Sequence, residues 1–550
     1  MQSSIFEFLN KDYIRKISEQ YAEPSWLRNR RLQAFDRFKE LPIEPDILFS
    51  RYSDLFRGLK ISDLHNSVND EIDNLDSNDL YDCIQVDEKL VKLSTNKFSN
   101  SDSIVTDINS AITNSKIIVD SYFKSDLEKM DKFELLIESF FTSGLFIKIS
   151  DNSVFNDPLM RIIYNKSSNV GFFNKNIIDL GTNCDFSIVS EYSSVNNDKN
   201  NYNSIIGESY EISVGENSNL SVVDIQLFNQ NIIALFNKNS LIKNNGKLTI
   251  SSGHFGGAIT RTVNQSFLDG KGSEVNNLEV LVGTDFQRFD IGPRIYHNSE
   301  FTKGVVNVKG VLRDDSSFIL KGMNKINEEA ANSNTYLGGH ALLLGGSARA
   351  NIIPGLEIDN RNVIAKHLAA VAPIDEDQIF YLNSRGLDRN NAVELIITGF
   401  LEEIISKIPS NSIQEDLRSK VITKWRKLPH SNNKSDDDIQ GNNDPKTSQL
   451  VRVCKVSDLE QNKLHLFLVN NKDILLVKIN EKIYATSGLC THLPTKLDTG
   501  LLSGLEVTCA LHLSKFNLSD GKALNLPAEE NLKIYNVQII DANVFITFDD

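Results

Sequence analysis

The sequence predicts a mainly β, multidomain protein: a stacked β domain between two helical regions, followed by a small separate all-β module. Three observations lead there. Residues 153 to 358 break into short alternating or β-branched runs separated by Asn, Gly, Ser and Asp clusters. Apolar stripes at helical spacing flank that stretch on both sides. A segment almost free of apolar residues, His430 to Thr447, then sets residues 449 to 550 apart.

Within the β domain a loose phrase recurs: a small residue, then an apolar residue two places on. It is seen at Cys184/Phe186, Ser218/Leu220, Ser240/Ile242, Ser273/Val275, Ser299/Phe301 and Ser316/Phe318. The intervals run from 17 to 34 residues, so the repeat is ragged. One short strand and turn cannot bury its own apolar side. Stacking such units buries a continuous column, which is the logic of a β-helix. An ordinary β-sandwich is the alternative that composition alone leaves open.

The N-terminal region opens with a helix after Pro24, a residue suited to a first helical turn. Trp26, Leu27, Arg30 and Arg31 precede an apolar stripe at Leu32, Phe35 and Phe38, and Pro42 and Pro45 end it. Residues 46 to 130 are polar and read as helices with long loops. From Asp131 an amphipathic helix carries Phe133, Leu136 and Phe140, followed by Gly144, a strand at Leu145 to Ile149, and Pro158. Past the β domain, Asp375 is placed to cap a helix whose first turn holds Glu376 and Asp377, and Gly386 ends it. A second helix from Asp388 places Ala392, Leu395, Ile396 and Phe400 on one side. A third, Ile413 to Lys427, carries Leu417, Val421 and Trp425. The resulting organisation is residues 1–150, helical; 151–358, β-helix; 359–429, helical; 430–448, linker; 449–550, the all-β module. As a random coil the linker of about eighteen residues spans roughly 25 Å.

Composition narrows the function. A chain of 550 residues with a formal charge of −15 is expected to hold two to four domains and to avoid nucleic acid as its main partner. Five Cys, scattered and odd in number, are not a disulfide framework. Cys83, Cys184 and Cys454 read as small buried hydrophobes. No apolar run approaches a membrane span, and Met1-Gln2-Ser3-Ser4 does not open a signal peptide, so a cytoplasmic protein is expected.

The chemistry concentrates in the last module. Cys490-Thr491-His492 and Cys509-Ala510-Leu511-His512 each supply one thiolate and one imidazole, with residues 493 to 508 between them. Cys₂His₂ suits zinc. One Cys and one His from each of two loops also suits a [2Fe-2S] centre in which two His replace two Cys on one iron. This spacing, with Ser514, Phe516, Asp520-Gly521 and Pro527 after it, resembles the Rieske family. The resemblance implies that Cys490 and Cys509 hold the inner iron and His492 and His512 the outer one. Thr495 and Leu511 stand where high-potential members carry a disulfide, and Phe516 where they often carry Tyr. A ferredoxin-type centre of low to intermediate potential is therefore expected.

The body resembles the SufB/SufD family of iron–sulfur assembly scaffolds. The motifs are Glu23-Pro24-Ser25-Trp26-Leu27, Pro354-Gly355-Leu356-Glu357-Ile358, His367, Asp375 to Leu382, Ser384-Arg385-Gly386-Leu387 and Gly399-Phe400. The resemblance implies a right-handed parallel β-helix, pairing with a SufB-like subunit through β-helix ends, and docking of a SufC-like ATPase on the C-terminal helices. It makes His367 a candidate cluster-assembly residue at the subunit interface. Gly345-Gly346-Ser347-Ala348-Arg349 holds no Cys where SufB has one, so the chain looks SufD-like. ATPase activity is expected in the partner, and the fused module is expected to take electrons from a redox donor and pass them to assembly. A Rieske ferredoxin that uses the large domain only as a docking platform is the alternative. A Rieske oxygenase is disfavoured because nothing follows the module and no closely spaced His pair lies elsewhere. A carbohydrate lyase leaves the helical ends unexplained. The residues neither require nor exclude a flavin.

Overall fold

The computed structural model describes residues 10–42, 80–98, 102–114, 120–123, 125–167, 170–194, 204–408, 410–426, 449–469, 472–480, 482–491, 496–509, 514–525, 528, 530–540 and 543–548. The chain divides into two compact units, Met1–His430 and Ser431–Asp550.

The first unit is a β-helix of two facing sheets. Its strands begin with β1 (Cys83–Val86), β2 (Lys89–Leu93), β3 (Ile104–Asp107), β4 (Leu145–Ile149), β5 (Leu159–Asn165) and β6 (Gly171–Leu180). They continue with β7 (Asp185–Ser194), β8 (Ser204–Val214), β9 (Asn219–Gln226), β10 (Ile232–Ile242), β11 (Lys247–His254) and β12 (Ile259–Leu268). The last are β13 (Glu274–Gly283), β14 (Arg288–His297), β15 (Lys303–Leu312), β16 (Ser317–Ile326), β17 (Asn334–Leu343), β18 (Arg349–Ile358) and β19 (Ile364–Pro373). From β4 onward even strands stack parallel in one sheet and odd strands in the other. Each coil thus adds one strand to each sheet. Inside lie Phe186, Leu220, Val275, Phe318, Leu320 and Leu337, all fully or almost fully buried.

The ragged repeat has a local cause. Asn152, Asn183, Asn217 and Asn245 sit at one corner with φ of 60°, 56°, 53° and 52°. That left-handed conformation suits Asn, and the side chains form a ladder at 3.0, 3.3 and 3.1 Å between successive members. Beside them Ser218 Oγ donates to the Gly181 carbonyl and accepts from the Cys184 N–H. The small residue closes the turn, and the apolar residue two places on points inward. Two members of the phrase depart from this. Ser240 and Ile242 lie within β10, and Phe301 occupies the corner itself, at φ 59° and 52% exposed.

Helices cover both outer faces. The N-terminal set is α1 (Lys11–Gln20), α2 (Ser25–Glu40), α3 (Ile108–Thr113) and α4 (Lys132–Phe140). Leu27, Phe35, Phe133, Leu136 and Phe140 pack there with Phe173, Ile205, Ile233 and Leu235 of the even-numbered sheet. The C-terminal set is α5 (Glu376–Ser384), α6 (Arg389–Ile405) and α7 (Asn411–Arg426). Ile397, Leu401, Leu417, Val421 and Trp425 pack against Val223, Leu278, Val280 and Val311 of the odd-numbered sheet. Burying each such side chain contributes about 1.5–3 kcal/mol.

Two boundaries differ from the sequence reading. Strands β1 to β3 lie in a segment read as helices with long loops, where short β-branched runs are embedded in polar residues, while β4 falls where a strand was expected. Strand β19 continues the β-helix beyond residue 358, into residues read as helical. Leu395 also departs: it is 52% exposed rather than on the packed side of α6.

The second unit is all β, as the sequence suggested. Its strands are β20 (Gln449–Lys455), β21 (Leu464–Val469), β22 (Lys472–Ile479), β23 (Lys482–Ser487), β24 (Leu501–Ser503), β25 (Glu506–Thr508), β26 (Lys515–Asn517), β27 (Asn536–Ile540) and β28 (Asn543–Phe548). They form three antiparallel sheets, β20-β28-β27, β21-β22-β23 and β24-β25-β26.

Candidate metal centre and exposed surfaces

Cys490 follows β23 and Cys509 follows β25, so each thiol sits where a strand turns into a loop. Pairing of Leu489 with Lys496 closes the first loop. The second is closed by the Cys509 N–H, which donates to the Ser514 carbonyl at 2.8 Å, and by the pairing of Thr508 with Lys515. Both cysteines are buried, neither is in a disulfide, and they share one apolar cluster with Leu475, Val477, Leu497, Val507 and Phe516. His492 and His512 lie outside the described residues. Among the described residues no group of three or more His, Cys, Asp or Glu side chains gathers as a metal site.

The donor set fits a cluster on a further observation. Ser514 is fully buried, directly after the second loop, and its hydroxyl has no hydrogen-bond partner among the described residues. A buried hydroxyl without a partner costs about 1–3 kcal/mol. An acceptor such as an inorganic sulfide beside Cys509 removes that cost. The other three cysteines differ: all are buried, and burial pushes the Cys83 and Cys454 thiols up to about 11, which suits inert packing.

His367 is on β19, in the first unit, in register with the buried Leu337 of β17 and itself exposed. The two ends of the β-helix are unlike. At the N-terminal end β2 pairs antiparallel with β1, and β3 antiparallel with β4, so parallel stacking stops. At the other end β18 and β19 are the last strands of their sheets. There Ile358, Ile364, Leu368 and Val371 are 46%, 56%, 45% and 44% exposed. The sequence reading expected a subunit interface at the β-helix ends with His367 in it, but named none of these exposed apolar residues. Their signal was the run Ile364-Ala365-Lys366-His367-Leu368-Ala369-Ala370-Val371, apolar with few polar breaks, in an otherwise polar chain.

A second apolar surface lies on the C-terminal helices. Phe380 and Tyr381 of α5 and Leu395 of α6 are half or more exposed. Helix α5 is capped as expected, with Asp375 accepting from the Asp377 and Gln378 N–H groups, and Gly386 follows it at φ 93°. Arg389 grips Glu376 through two bonds at 2.8 and 2.7 Å, tying α5 to α6.

Comparison with known proteins agrees with both halves. Residues 162–400 match the SUF system FeS cluster assembly, SufBD core domain, and residues 449–536 match the Rieske [2Fe-2S] domain. The iron–sulfur cluster assembly protein SufD of Bacillus subtilis (strain 168) is 26% identical over 430 residues, covering 76% of this chain and 98% of that protein. An iron–sulfur cluster assembly SufBD family protein of Pyropia yezoensis is 24% identical over 435 residues, 73% of this chain and 88% of that one. Among solved structures, the ferredoxin of carbazole 1,9a-dioxygenase from Nocardioides aromaticivorans IC177 is similar. It is 27% identical, covers 18% of this chain and all of that one, and has a TM-score of 0.18. The fold and the two domain matches together define the class: a SufBD core domain joined to a Rieske domain with its [2Fe-2S] cofactor. Within that class the body is SufD-like. Among the described residues no helix is long and apolar enough to cross a membrane.

Proposed function

We propose that this chain is the SufD-like subunit of a cluster-assembly scaffold and that its Rieske domain feeds electrons to assembly. In this reading Cys490, His492, Cys509 and His512 hold the [2Fe-2S] cluster, which supplies one-electron transfer when bound. Ser514 donates its hydroxyl to the cluster and fixes the second loop. A SufB-like subunit covers β18 and β19, burying Ile364, Leu368 and Val371 and bringing its own residues to His367. A SufC-like ATPase takes the surface of Phe380, Tyr381 and Leu395. A redox donor reduces the Rieske domain.

The observation that carries the reading is the contrast between the two ends of the β-helix. At one end parallel stacking gives way to antiparallel strands, β2 and β3. The other ends on open strand edges with exposed apolar side chains, an arrangement that invites aggregation unless a partner covers it. The test is co-purification of the full chain with SufB-like and SufC-like subunits, repeated with Leu368→Glu. Deleting residues 449 to 550 should leave the complex intact and abolish reductant-dependent cluster assembly. A chain that instead co-purifies with a reductase and no ATPase is the ferredoxin of the alternative reading.

A further inference from the structure

A separate feature lies between the N-terminal helices and the β-helix. Helix α4 packs on β6 and β8, and the interface holds a cluster of buried charge. Asp131 caps α4, accepting from the Phe133 and Glu134 N–H groups at 2.9 and 3.0 Å. Its other oxygen meets Arg261 of β12. Glu138 lies between Arg30 of α2 and Lys175 of β6, the latter at 2.9 Å. Lys175 also reaches Glu211 of β8 at 3.0 Å, and Ser125 donates to the same carboxylate. Glu134 completes the capping box by accepting the Asp131 N–H at 2.9 Å. Its second oxygen is buried and has no hydrogen-bond partner among the described residues.

Among the described residues the charges do not balance. Four carboxylates, Asp131, Glu134, Glu138 and Glu211, face three cations, Arg30, Lys175 and Arg261. The other cations at this interface are occupied. Arg31 pairs with Glu23, both fully buried, and donates to the Ser139 carbonyl. Lys132 reaches the Phe38 and Leu41 carbonyls at the end of α2. Among the described residues, Glu134 is the one of the four carboxylates with no cation in direct contact. An isolated buried carboxylate is costly, and protonation removes the cost.

We propose that Glu134 is a proton-binding switch in the clamp that holds the N-terminal helices on the β-helix, closed when the carboxyl is neutral and weakened when it ionises. Burial, helped by the Asp131 charge, pushes the Glu134 carboxyl up to about 7 from its ordinary 4.5. The neighbours move the other way. Burial opposes them, but Arg261 holds Asp131 below its ordinary range, and Lys175 and Arg30 hold Glu138 at about 2. Their titration therefore falls below pH 4.5. Of these three carboxyls Glu134 is the one that titrates between pH 4.5 and 7. An open clamp ionises Glu134 first, so opening grows as pH rises through this window and levels off above it.

The test is hydrogen exchange on the full chain, read on peptides from α2 and α4 and corrected for intrinsic rates. Protection should fall roughly tenfold per pH unit between pH 5 and 7 and flatten above. Glu134→Gln should remove the slope and exceed the wild type in protection at pH 7. A slope unchanged in Glu134→Gln overturns the proposal, as does a flat profile in the wild type. Infrared difference spectra of the two proteins give an independent readout. The carbonyl stretch of a protonated carboxyl should be present in the wild type at pH 6 and missing in Glu134→Gln, and its absence from the wild type also overturns the proposal.

Discussion

Lys175→Met probes the buried charge that fastens the helices to the β-helix. The ammonium is wholly buried, 2.9 Å from Glu138 and 3.0 Å from Glu211, and lies 5.5 Å from the centre of the Phe123 ring. Met keeps most of the stem volume and removes the charge. Burial alone raises the Glu138 carboxyl, yet Lys175 and Arg30 hold it at about 2 against an ordinary 4.5. A depressed carboxylate contributes stability above pH 4.5 and loses it as pH falls toward 2. At 1.36 kcal/mol per unit the shift is worth roughly 3 kcal/mol. Stranding one partner of a buried pair costs about 3–5 kcal/mol, so the two arguments agree. The assay is urea unfolding by tryptophan fluorescence. Both tryptophans, Trp26 and Trp425, belong to the first unit, and a Trp425→Phe background leaves Trp26, whose ring lies 5.2 Å from that of Phe123. The loss should be about 3 kcal/mol at pH 7 and shrink at pH 4, where the stranded Glu138 takes a proton. A loss below about 0.5 kcal/mol, the range of ordinary surface substitutions, would refute the argument.

Other consequences are sharper in sign than in size. Asn217→Ala should cost about 1–2 kcal/mol, since Ala is strained at φ 53° and both ladder bonds are lost, while Asn217→Gly should cost less; chemical denaturation of the pair decides it. Burial holds His297 at about 4 rather than 6.5, so its contribution is full above pH 6.5 and is lost as pH falls through 4. His297→Gln should flatten the pH dependence of stability across that window, and an unchanged slope assigns the acid sensitivity elsewhere. Cys509→Ala should abolish the visible absorption of the cluster while leaving the far-ultraviolet dichroism of the β-helix intact, because the two thiols lie in a separate unit.

Much of this was legible before any coordinates. The pairs Ser218/Leu220 and Ser273/Val275 marked true coils, because a small residue is needed to close the corner and an apolar one to fill the column. Ser299/Phe301 misled because it mimics the phrase in a different place: Phe301 takes the left-handed corner that Asn fills in neighbouring coils. Strand β19 was hidden because Ala365, Ala369 and Ala370 favour helix, and only stacking on β17 makes the segment extended. Its local trace, the apolar run Ile364 to Val371, does not separate a strand from a buried helix. The buried charges of α4 were equally silent, since Glu134 and Glu138 look like the solvent side of any amphipathic helix. The cysteines of the second unit were the reverse case: their loops are local, so spacing alone revealed them.

The most direct test of the central claim is metal analysis joined to pulsed electron paramagnetic resonance on the full chain, purified without oxygen and then reduced. The account predicts two irons and two sulfides per chain and hyperfine coupling to two nitrogen nuclei, lost together with the signal in His492→Ala or His512→Ala. Stoichiometric zinc without iron, or a reduced cluster with no coupled nitrogen, contradicts it.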